Sequence, residues 1–372
     1  MKVKIIKTIK EFELLKDSWN DLVNKSGNIL VHLKHEWFYA WWMSFKNHKQ
    51  SLHVLTVIDD NGDIIAIAPL MQFKCLRLGI PVRKICFLAN GHSPSADFII
   101  RKDKTAEGIQ SIFHHLKVNS DWDIIELQKL NSKGNTFLFI MNYLKQSGDL
   151  FGVKDTIETP FIKIDSDWNT FLHTRSQRFR KALRNKINRA KKIPDSSVEK
   201  IQITGSNHPA LQDMFSVSGR SWKKKVHSDL QSNVCSKNFY MHISDQFGPQ
   251  GIATLWFFKI LNKPIAFEYH LSYNNVIYPL RADFDESFRY LSPGSVLEYN
   301  ILKNLFDNPN TFKEYDTCGD TYRYLLNWTE NTRKYLKIEI YSGNFRSHIL
   351  HALKYKLLPI LRKLRVIPLN FH

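Results

Sequence analysis

VIYPLRADFDESFRYLSPGSVLEYNILKNLF, Val276 to Phe306, followed after a short loop by FKEYDTCGD, Phe312 to Asp320, is the stretch whose reading decides the fold. Val276, Tyr278 and Leu280 alternate with Ile277, Pro279 and Arg281, so Val276 to Asp283 is expected as a half-buried strand. After a polar connection, Ser292-Pro293-Gly294-Ser295 opens a helix whose apolar stripe is Leu297, Ile301, Leu302 and Leu305. Proline suits the first turn because its missing N–H has no intrahelical partner there. Gly294 allows a ligand close to the backbone. Phe312 to Thr317 is a second strand, ending in Cys318-Gly319-Asp320. A strand, a turn and a helix with exposed N–H groups make a ready phosphate site. Taken alone, the pattern is better explained by an ordinary strand–loop–helix connection.

The rest of the chain bounds the answer. Its 372 residues suffice for two domains, and a 43% apolar fraction supplies globular cores. Cys75, Cys86, Cys235 and Cys318 are scattered, with no Cys-x-x-Cys pair, which argues for a reducing compartment and against structural zinc. The dispersed histidines give no metal spacing either, and no metal is expected. MKVKIIKTIKEF interrupts its apolar residues with lysines, so no signal peptide is read. No run approaches the ~20 apolar residues that span a bilayer. A cytoplasmic protein is expected, with peripheral attachment at the inner membrane face as an option.

The net charge of +18 is concentrated. Arg175 to Lys192 holds nine Lys or Arg and no acid; Arg346 to His372 holds six and no acid. Cations confined to two stretches point to anionic partners at defined places.

In chain order, Glu11 to Ser26 and His35 to His48 are helix candidates, the second rich in core-forming aromatics. Leu52 to Ile58 and Ile64 to Lys74 are strands joined by Asp60-Asn61-Gly62. Short strands at Ile85 to Leu88 and Asp97 to Ile100 precede a helix (Lys104 to Val118), a strand (Trp122 to Lys129), a helix (Thr136 to Gln146) and a strand (Glu158 to Ile164). The second half repeats this order. Helices are expected at Arg175 to Ile193, Pro209 to Trp222 and Lys237 to Phe247, then a hairpin of Gly251 to Leu261 with Pro264 to Ser272. The repetition suggests two similar α/β domains in tandem, 1–165 and 166–345. A basic tail, 346–372, carries a helix from His348 to Arg365 that Pro359 bends or breaks.

SQRFRKALRNKINRAKK (176–192), NKPIAFEYHL (262–271), RADFDESFRYLSPGSVLEYNIL (281–302) and EYDTCGD (314–320) together resemble one family. It is the CelD type of GNAT-superfamily acetyltransferase, associated with cellulose and exopolysaccharide synthesis and related to FemAB-like peptidyltransferases. The resemblance is strongest over Ser176 to Trp328. It implies an α/β (α+β) chain of tandem GNAT-like domains, each a mostly antiparallel central sheet flanked by helices. It also implies acyl transfer from a thioester or ester donor to an amine or hydroxyl. In such folds the turn after the central strand holds the pyrophosphate of coenzyme A. Here Arg289 to Ser295 takes that place, with Ser292, Gly294 and Ser295 offering N–H groups and Arg289 a charge-assisted contact. Proline in this turn departs from the family pattern. Tyr322-Arg323-Tyr324 likewise replaces the family's Tyr-Lys.

Acyl transfer needs a base and a donor to the carbonyl oxygen. Backbone N–H groups near Arg281 and Ala282 are candidates for the second role. Glu268, Asp283 and Asp320 are the candidate bases, with His270 a further one. For each of these, an ordinary hydrogen-bonded or solvated polar residue is the commoner explanation. Tyr278, Tyr299 and Tyr315 are read as packing residues, and Cys318 as structural, because no paired His motif activates it. The basic helix should bury Phe179, Leu183, Ile187 and Ala190, leaving its cations to face an anion.

The expected function is therefore a GNAT-type N- or O-acyltransferase using acetyl-CoA or another acyl-CoA as co-substrate. Its acceptor would be a sugar or lipid-linked precursor of envelope or exopolysaccharide synthesis. The alternatives are a FemAB-like aminoacyl-tRNA-dependent transferase, with tRNA on the basic helix, and a non-catalytic module binding an anionic ligand at a membrane face. Residues 346–372 are the candidate contact with an anionic membrane surface.

Overall fold

A computed structural model describes residues 1–119, 121–308 and 311–358. The described chain forms two compact units, one of 1–38, 47–157 and 334–358, the other of 39–46 and 158–333. The first unit begins with β1 (Lys2–Ile6), α1 (Ile9–Glu13) and α2 (Lys16–Lys25). α3 (His35–Phe45) passes from the first unit to the second. Then come β2 (Gln50–Leu52), β3 (Val54–Ile58), β4 (Ile64–Ala68), β5 (Leu70–Arg77), β6 (Ile80–Phe87) and β7 (Ile99–Ile100). α4 (Thr105–Val118), β8 (Ile124–Asn131), α5 (Asn135–Ser147) and β9 (Leu150–Lys163) follow.

β9 leads into the second unit: α6 (Trp168–His173), α7 (Gln177–Lys191), β10 (Ser196–Gln202), α8 (Ala210–Gly219) and α9 (Val234–Phe247). β11 (Ala253–Ile260), β12 (Lys263–Tyr273), β13 (Val276–Phe284), α10 (Pro293–Asp307), β14 (Glu314–Asp316) and α11 (Arg323–Leu326) complete it. β15 (Thr332–Tyr341) returns the chain to the first unit, where α12 (Phe345–His351) leads into a π-helical turn, Ala352–Leu357.

The first unit has a four-stranded sheet, β1-β3-β4-β7, and strands in the order β9-β15-β8-β6-β5-β2. Its core joins Leu55, Val57 and Phe87 to Phe113 of α4, Ile140 of α5 and Ile340 of β15. The second unit has strands in the order β10-β11-β12-β13-β14-β9. Its core packs Leu183 and Ile187 of α7 and Leu297, Ile301 and Leu302 of α10 against Trp256, Ala266, Ile277 and Tyr315 of the sheet. Each unit contains one parallel pair bridged by a helix: β6 with β8 around α4, and β13 with β14 around α10.

Local chemistry explains where elements depart from the sequence expectation. Ile64 to Lys74 is two strands because Pro69 separates β4 from β5; proline fixes φ and carries no ladder N–H. Glu11 to Ser26 is two helices, broken where the Leu15 N–H bonds Phe12 O three residues back instead of continuing the α ladder. β10 and β15 were not expected. β10 is polar, with little buried, and gives no clean alternation. Residues 334–358, expected with the second domain or the tail, belong to the first unit. Of the expected helix from His348 to Arg365, residues 359–365 lie outside the described residues.

Candidate active site

β13 and β14 pair in parallel only at Val276↔Glu314 and Ile277↔Tyr315. β13 then runs on to Phe284, and among the described residues no strand pairs with that edge, so a wedge opens between the two strands within the second unit. Against β12, the register passes from Tyr269↔Arg281 to His270↔Pro279, leaving Leu280 as the extra residue of a β-bulge. A bulge breaks the ladder and re-aims backbone groups. The Leu280 carbonyl is taken by the Tyr240 hydroxyl, 3.0 Å away, while the ladder gives its N–H no strand partner. The bulge lies one residue before the Arg281–Ala282 segment expected to supply a backbone donor.

The N-terminus of α10 stands at the end of the same connection. Ser292, its N-cap, adopts left-handed backbone (φ 55°) and makes no side-chain cap hydrogen bond. The first-turn N–H groups of Gly294 and Ser295 have no intrahelical acceptors, and no acid lies in that turn. Two cations of α7 reach this place. Lys186 Nζ donates to Ser295 Oγ at 2.9 Å, and the Arg189 guanidinium donates to Tyr290 O. Among the described residues, no carboxylate lies within 4.0 Å of Arg178, Arg180, Lys181, Arg184, Lys186, Arg189 or Lys191. α7 therefore buries Leu183, Ile187 and Ala190 as expected and leaves seven cations without acidic partners. Arg289, expected to contact phosphate, is exposed on the turn Glu286–Leu291.

On the α10 side of the sheet lies a buried acidic cluster. Glu268 Oε2 accepts from the Tyr315 hydroxyl (3.0 Å) and is hydrogen-bonded to His270 Nε2 (2.9 Å). Glu268 and His270 stand opposite Ala282 and Pro279, on either side of the bulge, and Tyr315 reaches Glu268 from β14 across β13. Beside them Glu298 of α10 is buried and its carboxyl is pushed up to about 8. Burial is the main cause and the Glu268 charge the next; the Trp328 indole and Lys186 pull the other way. The Tyr315 hydroxyl is raised by burial and then by Glu268. A buried carboxyl that titrates near neutrality suits proton transfer. Sequence reading missed Glu298. It lies at the spacing of Ile301, Leu302 and Leu305, so it occupies the apolar stripe, and a lone acid there was the available signal.

Strand alternation sends the neighbouring residues to the other face. Asp283 is buried there, accepting from Ser218 Oγ (2.6 Å) and Arg281 Nε (2.9 Å) and ion-paired with Lys223. Arg281 also donates to Ser228 O at 2.7 Å. These side chains tie β13 to the α8–α9 layer, apart from Glu268. Asp320 is exposed beyond β14 and accepts from the Thr321 N–H at 2.7 Å. Asp316 is buried, and its carboxyl is raised to about 6 by burial against the opposing hydrogen bond from Cys318 N–H and the Arg333 charge. Cys318 has left-handed backbone (φ 54°) at the end of β14. The structure thus groups Glu268, His270, Tyr315 and Glu298, and separately Ser292, Gly294 and Ser295 with Lys186 and Arg189. Among the described residues no cluster of His, Cys, Asp or Glu is placed to hold a metal ion, and no helix is long and apolar enough to cross a membrane.

Residues 177–324 match the family described as Acetyltransferase (GNAT) domain. The matched stretch spans α7, the wedge and α10. No curated protein matches the sequence. Among solved structures, FemX is 13% identical, with 94% of this chain and 100% of that chain covered and a TM-score of 0.56. The C-terminal domain of a putative lysylphosphatidylglycerol synthetase from Agrobacterium fabrum is 11% identical, covering 92% and 97%, with a TM-score of 0.54. A tandem GNAT protein from the clavulanic acid biosynthesis pathway is 10% identical, covering 92% and 100%, with a TM-score of 0.50. At such identities the likeness is one of fold. The fold is the mixed α/β, tandem GNAT-like architecture expected from the sequence.

Proposed function

We propose that the second unit is an acyltransferase that takes an acyl group from an acyl-CoA donor. The observation that carries this reading is the convergence of Lys186 and Arg189 of α7 on the uncapped N-terminus of α10. A diphosphate set there meets N–H groups, the helix dipole and two cations without acidic partners. The donor's thioester lies in the wedge, its carbonyl oxygen at the β13 bulge, where backbone N–H groups stabilise the developing oxyanion. The acceptor amine or hydroxyl attacks the carbonyl carbon, the C–S bond breaks, and the thiolate leaves. Glu298 in its ionised form, or Glu268 with His270, takes the acceptor's proton, and the thiolate is reprotonated to the free thiol. The acceptor class favoured by the sequence resemblance is a sugar or lipid-linked precursor of envelope or exopolysaccharide synthesis, handled at the cytoplasmic side.

A second reading rests on the exposed cations of α7, which also suit a tRNA-borne aminoacyl donor. Thermal denaturation with acetyl-CoA and with aminoacyl-tRNA separates the two. The acyl-CoA reading predicts stabilisation by acetyl-CoA that weakens roughly tenfold in apparent affinity in Lys186→Gln/Arg189→Gln. Stabilisation by aminoacyl-tRNA alone, steeply lost with salt, overturns it in favour of the second reading.

A further inference from the structure

The first unit carries a surface that the acyl-transfer reading does not use. The β5–β6 hairpin turns at Leu78 and Gly79, both with left-handed backbone (φ 49° and 78°). Asparagine and glycine are the usual residues at such a turn, and leucine is a poor fit. Leu78 is nevertheless there, 50% exposed, beside Leu76 at 71%. Cys75 and Ile80, just inside the tip, pack against the cluster containing Leu350 and Tyr355, which brings the hairpin next to α12 and its following turn. Phe345, the first residue of α12, is 80% exposed. An open groove of about 700 Å³ joins the two elements, lined by Lys74, Pro81, Val82 and Arg83 on the hairpin, by Asn344, Phe345 and Arg346 at α12, and by Asp123, which Arg83 pairs.

The charge of this region is one-sided. Beneath the hairpin, Arg77, Lys84, Lys337 and Lys354 surround only Glu126 and Glu339. Among the described residues, Lys74 and Arg346 have no carboxylate within 4.0 Å. Arg83 is the exception, paired with Asp121 and Asp123.

We propose that this end of the first unit docks on an anionic lipid bilayer, with Leu76, Leu78 and Phe345 entering the interface and Lys74 and Arg346 meeting lipid phosphates. Protruding apolar tips ringed by uncompensated cations fit the headgroup–acyl boundary, where area burial and charge attraction act together. A nucleic acid would leave the three apolar side chains in water, and a second copy of this surface would set like charge against like. Residues 359–372 continue the sequence character, with Arg362, Lys363 and Arg365 among Leu, Ile and Val and no acid. The docking is independent of acyl transfer, so failure of one leaves the other standing.

The test is co-sedimentation of the full chain with phosphatidylcholine vesicles with and without phosphatidylglycerol. The wild-type chain is expected to bind the phosphatidylglycerol vesicles selectively and to leave them at high salt. Leu76→Glu/Leu78→Glu and Lys74→Glu/Arg346→Glu should each bind roughly tenfold more weakly or worse. Circular dichroism checks that both retain the fold. Should the leucine pair unfold, the charge-reversal pair carries the test alone. No binding by the wild-type chain overturns the proposal. So does wild-type affinity in the folded variants, which would place attachment elsewhere on the chain.

Discussion

The two units solve the same topological problem and end differently. Each bridges a parallel strand pair with one helix, α4 between β6 and β8 and α10 between β13 and β14. At α4 the first turn contains Glu107, ion-paired with Lys104 at 3.0 Å, so the dipole-positive end already holds a carboxylate. At α10 the first turn has no acid, and the cations nearby come from α7 without acidic partners. β6 pairs with β5 in unbroken register, whereas β13 is bulged against β12. The buried acids differ in the same sense. Burial alone would raise the Glu339 carboxyl, but Lys354 and Lys337 hold it far below the usual carboxylate range. At Glu298 the pull of the Trp328 indole and Lys186 does not offset burial and the Glu268 charge, and it stays protonated to about 8. The buried Glu339 carboxylate of the first unit is neutralised by lysines, whereas the buried Glu298 of the second keeps its proton.

The sharpest way to break this contrast is to block each helix start. Gly294 and Ala106 both occupy the second position of their helices. A Cβ at Gly294 meets only Phe284 Cδ1 at 3.8 Å, so the backbone there accepts a side chain. Gly294→Trp is expected to weaken donor binding by two orders of magnitude or more, on the order of 3 kcal/mol, while Ala106→Trp leaves it unchanged. Equal loss in both, by calorimetric titration, would show that the units are not functionally different.

The next largest effect is on stability. Glu339→Gln leaves Lys354 half-buried without its carboxylate and Arg77 with Glu126 alone, and should cost about 3 kcal/mol in denaturant unfolding. In the wild-type chain Glu339 contributes stability above pH 4.5 that is lost as pH falls below it, because its folded-state pKa is depressed. A Glu339→Gln chain as stable as wild type at neutral pH, with the same acid sensitivity, would refute the neutralisation of Glu339 by its lysines.

Glu298→Gln gives a smaller, two-part signature. Turnover should fall about 100-fold, within the usual range for a general base, and the rising limb near pH 8 should vanish. Glu298 keeps its proton to about 8 when folded and releases it near 4.5 when unfolded. The folded state therefore binds the extra proton across that window. Stability declines as pH rises through it, by up to about 1.4 kcal/mol per unit, and levels off above. Glu298→Gln should flatten the decline. An unchanged pH–rate limb would remove Glu298 from the chemistry.

Much of this was legible in the sequence. Periodicity marked α10 and β13, and Pro293 marked the start of α10 to the residue. Glu268 was named, with Asp283 and Asp320, because each lies in or at the end of an expected central strand. Asp283 was indistinguishable from it in sequence. Only the sheet register shows that Asp283 faces Lys223 and Arg281 on the opposite side. Lys186 and Arg189 were hidden among nine cations of one stretch, since which cation meets α10 depends on helix crossing and not on spacing. The unit boundary was hidden for a related reason. β15 returns to the first unit through pairing with β8, at Tyr335↔Asn131 to Tyr341↔Ile124, a contact no local pattern announces.

The central claim is that only the second unit holds a donor, and the stoichiometry of acetyl-CoA binding to the intact chain tests it most directly. Calorimetric titration should give one site per chain, retained in Ala106→Trp and absent in Gly294→Trp. Two sites per chain, or one site that survives Gly294→Trp, would contradict it.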